Sequence, residues 1–265
     1  MKLSIITVNL NNLEGLKKTY DSVVCQTFTD YEWLVIDGGS TDGSREFIEQ
    51  HQDKFAYWCS ESDKGIYNAM NKGIVRAKGE YLNFMNSGDS FVSKEILEVV
   101  FSKQCTADIF YGIQLVDSHG RLIPANIHQK SYWYDLFSDS LPHQASFIRN
   151  SLFSSVGLYD ESYRIISDWK WFIQAILIHG ASCEFLPIVI SFFAGNGISS
   201  TNLITLEKKK FKMELFLRNI SDEDRKILTK ISFIRSFKLT YLLFKLLGII
   251  AWRTDSFIQK YFTRY

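Results

Sequence analysis

Proline is scarce here, with 3 in 265 residues, and cysteine nearly as scarce, with 4. Cys25, Cys59, Cys105 and Cys183 stand far apart, with no C-x-x-C pair and no histidine at metal spacing beside them. Reduced thiols are therefore expected, and disulfides or structural zinc are not. Long apolar runs are missing too. The best candidate, Leu239–Trp252, is interrupted by Lys245 and falls short of the roughly 18 residues of a membrane span. The opening run Leu3–Val8 is too short for a signal-peptide apolar region and lacks a small-residue cleavage site, so a cytoplasmic location is expected. Charge of one sign is absent as well: 30 basic and 29 acidic residues give +1, which argues against a general nucleic-acid binder. Neither G-x-G-x-x-G after the first strand nor G-x-x-x-x-G-K-[ST] occurs, so neither a dinucleotide-binding site nor a P-loop is supported.

What the chain does have is 46% hydrophobic residues and 15% aromatics, enough for a sizeable core. Leu3–Val8 is a β-branched run ended by asparagines, and Leu13–Gln26 carries apolar residues at helical spacing. Glu32–Ile36, Phe55–Ser60 and Glu80–Met85 predict further strands, with helices at about 42–52 and 66–77 between them. Strands alternating with helices imply an α/β chain with a mostly parallel, doubly wound sheet. The second half is less regular: a hairpin around Ser118-His119-Gly120, a strand at Ala145–Arg149, and a helix at Asp168–His179 with Trp169, Phe172, Ile173 and Ile176 as its apolar face. Composition shifts near Ile198–Asn202, after which the chain becomes helical, basic and aromatic.

In an open parallel sheet, ligands bind beyond the carboxyl ends of the strands. Polar residues gather there: Thr7 and Asn9 after the first strand, Asp37 after the second, Glu61 and Asp63 after the third, Asp89 after the fourth. One Asp-Gly-Gly is usually a turn; four successive strand ends of this kind describe an acidic site. An acidic site that takes a phosphorylated ligand needs a hard divalent cation between them, Mg²⁺ or Mn²⁺.

Ile5-Ile6-Thr7-Val8-Asn9, Cys25-Gln26-Thr27-Phe28 and Val35-Ile36-Asp37-Gly38-Gly39-Ser40-Thr41-Asp42-Gly43-Ser44, in that order and spacing, resemble the opening of a family 2 glycosyltransferase. Ser60-Glu61-Ser62-Asp63-Lys64-Gly65-Ile66-Tyr67-Asn68-Ala69-Met70-Asn71-Lys72-Gly73 is similar to the subgroup of bacterial O-antigen and exopolysaccharide synthesis. The likeness is close over residues 3–91 and looser through Pro142-His143-Gln144 and Ser167-Asp168-Trp169 to about 195. It implies a GT-A fold over 1–200, with 1–91 the nucleotide-sugar-binding half and 92–200 the acceptor-side half, and a helical, basic-aromatic region over 201–265. It also implies a nucleotide-sugar donor, with UDP favoured, inversion at the anomeric carbon, and a lipid-linked glycan acceptor.

By that resemblance Thr7, Asn9, Asp37, Asp63, Lys64 and Asn71 bind the nucleotide-sugar, with Asp37 facing the base. Asp168 is the catalytic base. Asn86-Ser87-Gly88-Asp89 stands where the family has Asp-x-Asp, and only Asp89 is a carboxylate, so Asp89 is the expected ligand for Mn²⁺ or Mg²⁺. The chemistry is independently consistent. A cation stabilises the departing diphosphate, and an acceptor hydroxyl needs a carboxylate to take its proton. His143 and Trp169 are candidate acceptor or phosphate contacts; a structural histidine and core packing of Trp133, Trp169 and Trp171 are the alternatives. The Q-x-x-R-W signature of processive synthases is absent, which fits one sugar per cycle. A nucleotide-sugar hydrolase and a non-catalytic binder of the same fold are the competing classes.

If residues 235–264 form one helix, Arg235, Lys238, Lys245, Arg253, Lys260 and Arg264 fall within an arc of about 100°. Apolar residues such as Leu243, Leu247, Ile250 and Phe257 occupy the rest, and Asp255 is the only acid. Such a helix suits peripheral contact of 227–265 with an anionic membrane, each base adding roughly 1 kcal/mol. Liposome flotation should then recover the full chain and lose a chain truncated near Asn219; equal recovery of both removes the membrane contact.

Overall fold

The computed structural model describes residues 1–118, 121–125, 136, 140–193 and 203–218. The chain divides into two compact units, Met1–Thr201 and Asn202–Tyr265. In the second, the described part is a helix, Leu203–Arg218; the candidate membrane segment 227–265 lies outside the described residues, as does Trp133. No helix among the described residues is long and apolar enough to cross a membrane.

The first unit opens as its hydrophobic pattern predicts. Strand β1 (Leu3–Asn9) is buried at all seven positions, as a central parallel strand covered on both faces must be. Helix α1 (Leu13–Val24), β2 (Tyr31–Asp37), α2 (Ser44–Gln50), β3 (Tyr57–Ser60), α3 (Ile66–Arg76) and β4 (Tyr81–Phe84) follow. β2 and β4 flank β1 in parallel, and β3 adds to β2. The chain thus builds outward on one side of β1 and then returns to its other side, making a topological switch point between β1 and β4. Gly73 lets α3 close on the sheet: a Cβ there would lie 2.5 Å from Ile6 Cγ2. Trp33 anchors the opposite layer at 1% exposure, its ring 4.9 Å from Phe55 and 5.7 Å from Tyr20 between centroids.

Beyond β4 come β5 (Ser90–Phe91), α4 (Ile96–Ser102), β6 (Ile109–Ser118), β7 (Arg121–Pro124), β8 (Ser146–Arg149), α5 (Leu152–Ser155), α6 (Ser167–Ile173) and β9 (Cys183–Phe193). The described strands form one sheet in the order β3-β2-β1-β4-β8-β6-β9-β5, with β7 paired to β6. The fold is the expected α/β GT-A class, but the sheet is mixed rather than mostly parallel. β8 runs antiparallel to both β4 and β6, and β5 antiparallel to β9. β7 pairs antiparallel with β6, from Leu115 opposite Pro124 to Ser118 opposite Arg121.

Helix α6 departs from its expected form. It gives way at Gln174–Ile178 to a π-turn, with His179 N–H bonded to Gln174 O. All seven of its residues are buried, Lys170 included; it is covered on every side rather than along one face. Lys170 is accommodated by Asp160 at 2.5 Å and by the Tyr163 ring at 4.6 Å. Burial pushes the Asp160 carboxyl up, but the bonds from Lys170 and Ser162 outweigh it and hold the group down at about 2. A lowered carboxyl stabilises the fold above the unfolded value of ~3.9 and loses that contribution as pH falls toward the folded value. The gap in melting temperature between the parent and Asp160→Asn should therefore be largest above pH 4 and shrink toward pH 2.5, as followed by circular dichroism; a gap independent of pH contradicts the pairing.

Candidate active site

The open ends of β1, β2 and β3 meet around one buried carboxylate. Asp37 has no exposed surface. Its Oδ1 accepts from Asn9 Nδ2 at 2.7 Å and Ser40 Oγ at 2.5 Å. Its Oδ2 accepts from the backbone N–H groups of Gly39 (3.2 Å) and Ser40 (2.9 Å) and from Ser60 Oγ (2.6 Å). Burial alone would raise the carboxyl, but the Ser40, Ser60 and Asn9 bonds lower it below the ordinary carboxylate range. The anion is satisfied, and it fastens β1, the turn after β2 and the end of β3 together.

Asp37, expected to face the base, has both oxygens met by donors of the protein in this structure and ties the strand ends together. Asn9 is 4% exposed; its amide goes to Asp37 and Ser40, and its Oδ1 accepts from Ser87 Oγ at 2.5 Å. Thr7 is fully buried, donating to Met85 O and accepting from Trp33 Nε1. Asn71 clamps the loop after α5: its Nδ2 meets Tyr159 O and Glu161 Oε1, and its Oδ1 takes Tyr159 N–H. Trp169 is 1% exposed with its indole N–H on Leu136 O, and Trp171 is equally buried; both pack in the interior, which removes Trp169 from the acceptor surface. Of the residues expected at the nucleotide, Asp63 and Lys64 retain exposed surface.

The turn after β4 carries the second half of the site. Ser87 N–H bonds Val8 O across the switch point, and Thr19 Oγ1 caps the turn through the Asp89 carbonyl at 2.7 Å. The Asp89 carboxylate accepts from Gln144 Nε2 at 3.0 Å, and Gln144 Oε1 is held in turn by Gln114 Nε2. From the same turn, Asn86 Nδ2 lies 3.1 Å from His143 Nε2. His143 Nδ1 is 3.1 Å from Asp168 Oδ2, and Tyr67 Oη is 2.8 Å from Asp168 Oδ1. With the proton on Nδ1, His143 donates to Asp168 and accepts from Asn86, which satisfies both contacts. Asn86, His143, Asp168 and Tyr67 thus form one continuous chain.

Asp168 sits in the first turn of α6 but does not cap it; the N-cap position is Ile166, without a side-chain bond. Burial would raise the Asp168 carboxyl, while the bond and attraction of His143, the Tyr67 hydroxyl and the Trp169 backbone N–H lower it below its ordinary value. Burial, with the Asp168 charge, raises the Tyr67 hydroxyl well above the usual tyrosine range, so it remains a donor. The contacts of Tyr67 and Gln144 were not expected from the sequence. Tyr67 and Gln144 lie inside motifs already singled out, but Tyr67 is 101 residues from the carboxylate it contacts.

The turn after β4 carries two oxygens of the hard type that a divalent cation takes. Asn86 Oδ1 is buried with no hydrogen-bond partner, and Asp89 offers a hard carboxylate three residues on. Among the described residues no cluster of three or more His, Cys, Asp or Glu exists. Mg²⁺-type ions, however, commonly take one or two protein oxygens and complete their shell with water and substrate phosphates.

The sequence matches the family model "Glycosyl transferase family 2" over residues 4–152. It is 32% identical over 209 residues to the "Uncharacterized glycosyltransferase MT1564" of Mycobacterium tuberculosis, covering 75% of this chain and 77% of that one. Among solved structures, S. aureus TarS 1–349 in complex with UDP superposes with a TM-score of 0.62 at 19% identity, over 73% of this chain and 60% of that chain. The mannosyltransferase PcManGT of Pyrobaculum calidifontis, in complex with GDP-Man and Mn²⁺, gives 0.55 at 17% identity, over 73% and 56%. The chain thus spans less than two thirds of either structural neighbour, and these two likenesses show the fold.

Asp37→Ala should strand at least five donors at the strand ends. Leaving buried donors unmatched costs about 3 kcal/mol or more in total, a fall of roughly 6–12 °C in melting temperature for a unit of this size. A variant that melts within about 2 °C of the parent by calorimetry means the carboxylate does not hold the frame.

Proposed function

The chain belongs to glycosyl transferase family 2, and on that premise we propose that it transfers one sugar per cycle, with inversion, from a nucleotide-sugar to a glycan hydroxyl. The observation that carries the reading is the ionised, buried Asp168, held between Tyr67 and His143 and linked through Asn86 to the Asp89 turn. Asp168 is the base: as the acceptor hydroxyl attacks, its proton passes to the carboxylate. Tyr67, whose one hydroxyl proton is shared between Asp168 Oδ1 and the Ile165 carbonyl, and His143 fix the carboxylate's orientation, and the His143 bond helps keep it charged until that moment. Attack from the face opposite the leaving group accounts for inversion. Asp89 and the unpartnered Asn86 Oδ1 would hold Mn²⁺ or Mg²⁺, which when bound supplies positive charge against the departing diphosphate.

Exposed Lys64 and half-buried Asp63 contact the nucleotide, for which UDP is the favoured carrier. The acceptor is a lipid-linked glycan in bacterial surface polysaccharide synthesis, at the cytoplasmic face of the membrane, where the basic, aromatic segment 227–265 would hold the enzyme. The donor-side and acceptor-side chemistry separate cleanly in two variants. Asp168→Asn should keep UDP and Mn²⁺ affinity within a few-fold of the parent while turnover drops by about 10²–10⁴. Asp89→Asn should weaken metal-dependent UDP binding first, and activity with it. Retention of more than about a tenth of parental turnover by Asp168→Asn, at saturating donor and acceptor, would assign the base elsewhere.

A further inference from the structure

Helices α5 and α6 are joined by a segment in which two consecutive carboxylates reach in opposite directions. Asp160 turns to α6 and pairs with Lys170 at 2.5 Å. Glu161 turns to α3, where its Oε1 accepts from Asn71 Nδ2 at 2.9 Å and its Oε2 from Asn68 Nδ2 at 3.0 Å. The two helices held in this way carry the two ends of one bond. Tyr67 adjoins Asn68 on α3, and Asp168 stands two residues before Lys170 on α6. Tyr67 Oη lies 2.8 Å from Asp168 Oδ1 and shares its proton with the Ile165 carbonyl, which belongs to the same joining segment.

Residue type matters at position 161. A carboxylate accepts on both oxygens at once, whereas an amide of the same shape would set N–H against N–H at one of the two asparagines. Glu161 is exposed, so water can replace these bonds and they add little to stability. What they fix is the register of α3 against the segment that leads into α6. Asn68 carries the brace one step further, since its Oδ1 accepts the Lys64 N–H at 3.3 Å at the donor end. We propose that Glu161 is a positioning residue for sugar transfer: it sets the spacing of α3 and α6 at which the Tyr67 hydroxyl meets Asp168, and so aims the base before an acceptor arrives. This rests on the transferase reading above, in which Asp168 is the base.

A base aimed without an acceptor should serve water slowly. The water proton passes to Asp168, its oxygen bonds the anomeric carbon, and the bond to the nucleoside diphosphate breaks. Turnover is therefore read on the full chain as nucleotide released from a panel of UDP-, dTDP- and GDP-sugars with Mn²⁺ and no acceptor. Glu161→Gln should slow that release about fivefold, the worth of one hydrogen bond. Its affinity for UDP should stay within about twofold of the parent by calorimetric titration, and its melting temperature within about 2 °C, as for a surface change away from the core. Asn68→Asp alone sets two carboxylates against each other and should lose at least as much. Combined, the two substitutions restore every bond of the brace with polarity reversed, the new amide donating to the new carboxylate, and release should return to within about twofold of the parent. In a chain already carrying Tyr67→Phe, Glu161→Gln should cost less than about twofold, because the bond it aligns is gone. An unchanged rate in Glu161→Gln overturns the proposal, as does its full effect in the Tyr67→Phe chain or a combined variant no faster than Glu161→Gln. A parent that binds nucleotide but releases none from any donor overturns it as well and leaves the transferase reading standing. A parent that binds no nucleotide overturns both.

Discussion

A single buried anion sets the geometry of the donor side. The Asp37 carboxylate is removed from water, and a carboxylate so placed is tolerable only if its lone pairs are met. Five donors meet them, from Asn9, Gly39, Ser40 and Ser60. Because those donors come from the end of β1, the turn after β2 and the end of β3, satisfying the charge fixes three strand ends at once. Asn9 extends the constraint across the switch point, since its carbonyl oxygen holds Ser87 in the turn that carries Asp89. The turn after β4 is therefore positioned by the same charge that holds the first three strand ends.

A buried polar side chain must meet most of its donors and acceptors on the protein, and Thr7, Asn9, Asp37 and Asn71 do so by tying strand ends and loops together. Asp63 and Lys64 keep exposed surface at the donor end. Asp168 lies between these cases: its carboxylate is met by Tyr67, His143 and the Trp169 backbone N–H, three contacts for two oxygens that can accept about four.

The parallel half of the fold was legible because its strands are short β-branched or aromatic runs separated by helices, and burial of β1, β2 and β4 on both faces leaves little choice of residue there. Leu3–Asn9 and Tyr31–Asp37 match their expected spans nearly residue for residue. The second half was less legible. Ser146–Arg149 was anticipated as a strand, but nothing in four residues tells which neighbours it pairs with or in which direction, and it runs antiparallel to both. Asp168–His179 carried a helical pattern, yet the coverage of all its faces and the switch to a π-turn depend on packing that periodicity does not encode. In the site, residue types at strand ends pointed to the right place; whether each faced a ligand or a neighbour depended on contacts such as Asn71 with Glu161, 90 residues apart.

The two halves of the site meet at one side chain. Asn86 belongs to the turn that follows β4, the last strand of the first parallel group, while His143 precedes β8, the strand that pairs antiparallel with it. Their contact at 3.1 Å spans the seam where the sheet changes character. Had β8 paired in parallel, its amino end would lie at the opposite edge of the sheet from the Asp89 turn, beyond reach of Asn86. The antiparallel turn in the sheet is thus what brings Asp168, through His143, and the Asp89 turn to one edge. It also makes their separation a property of the sheet rather than of a flexible loop. For a displacement in which one group takes a proton as another site stabilises a leaving charge, that fixed separation is the geometric requirement.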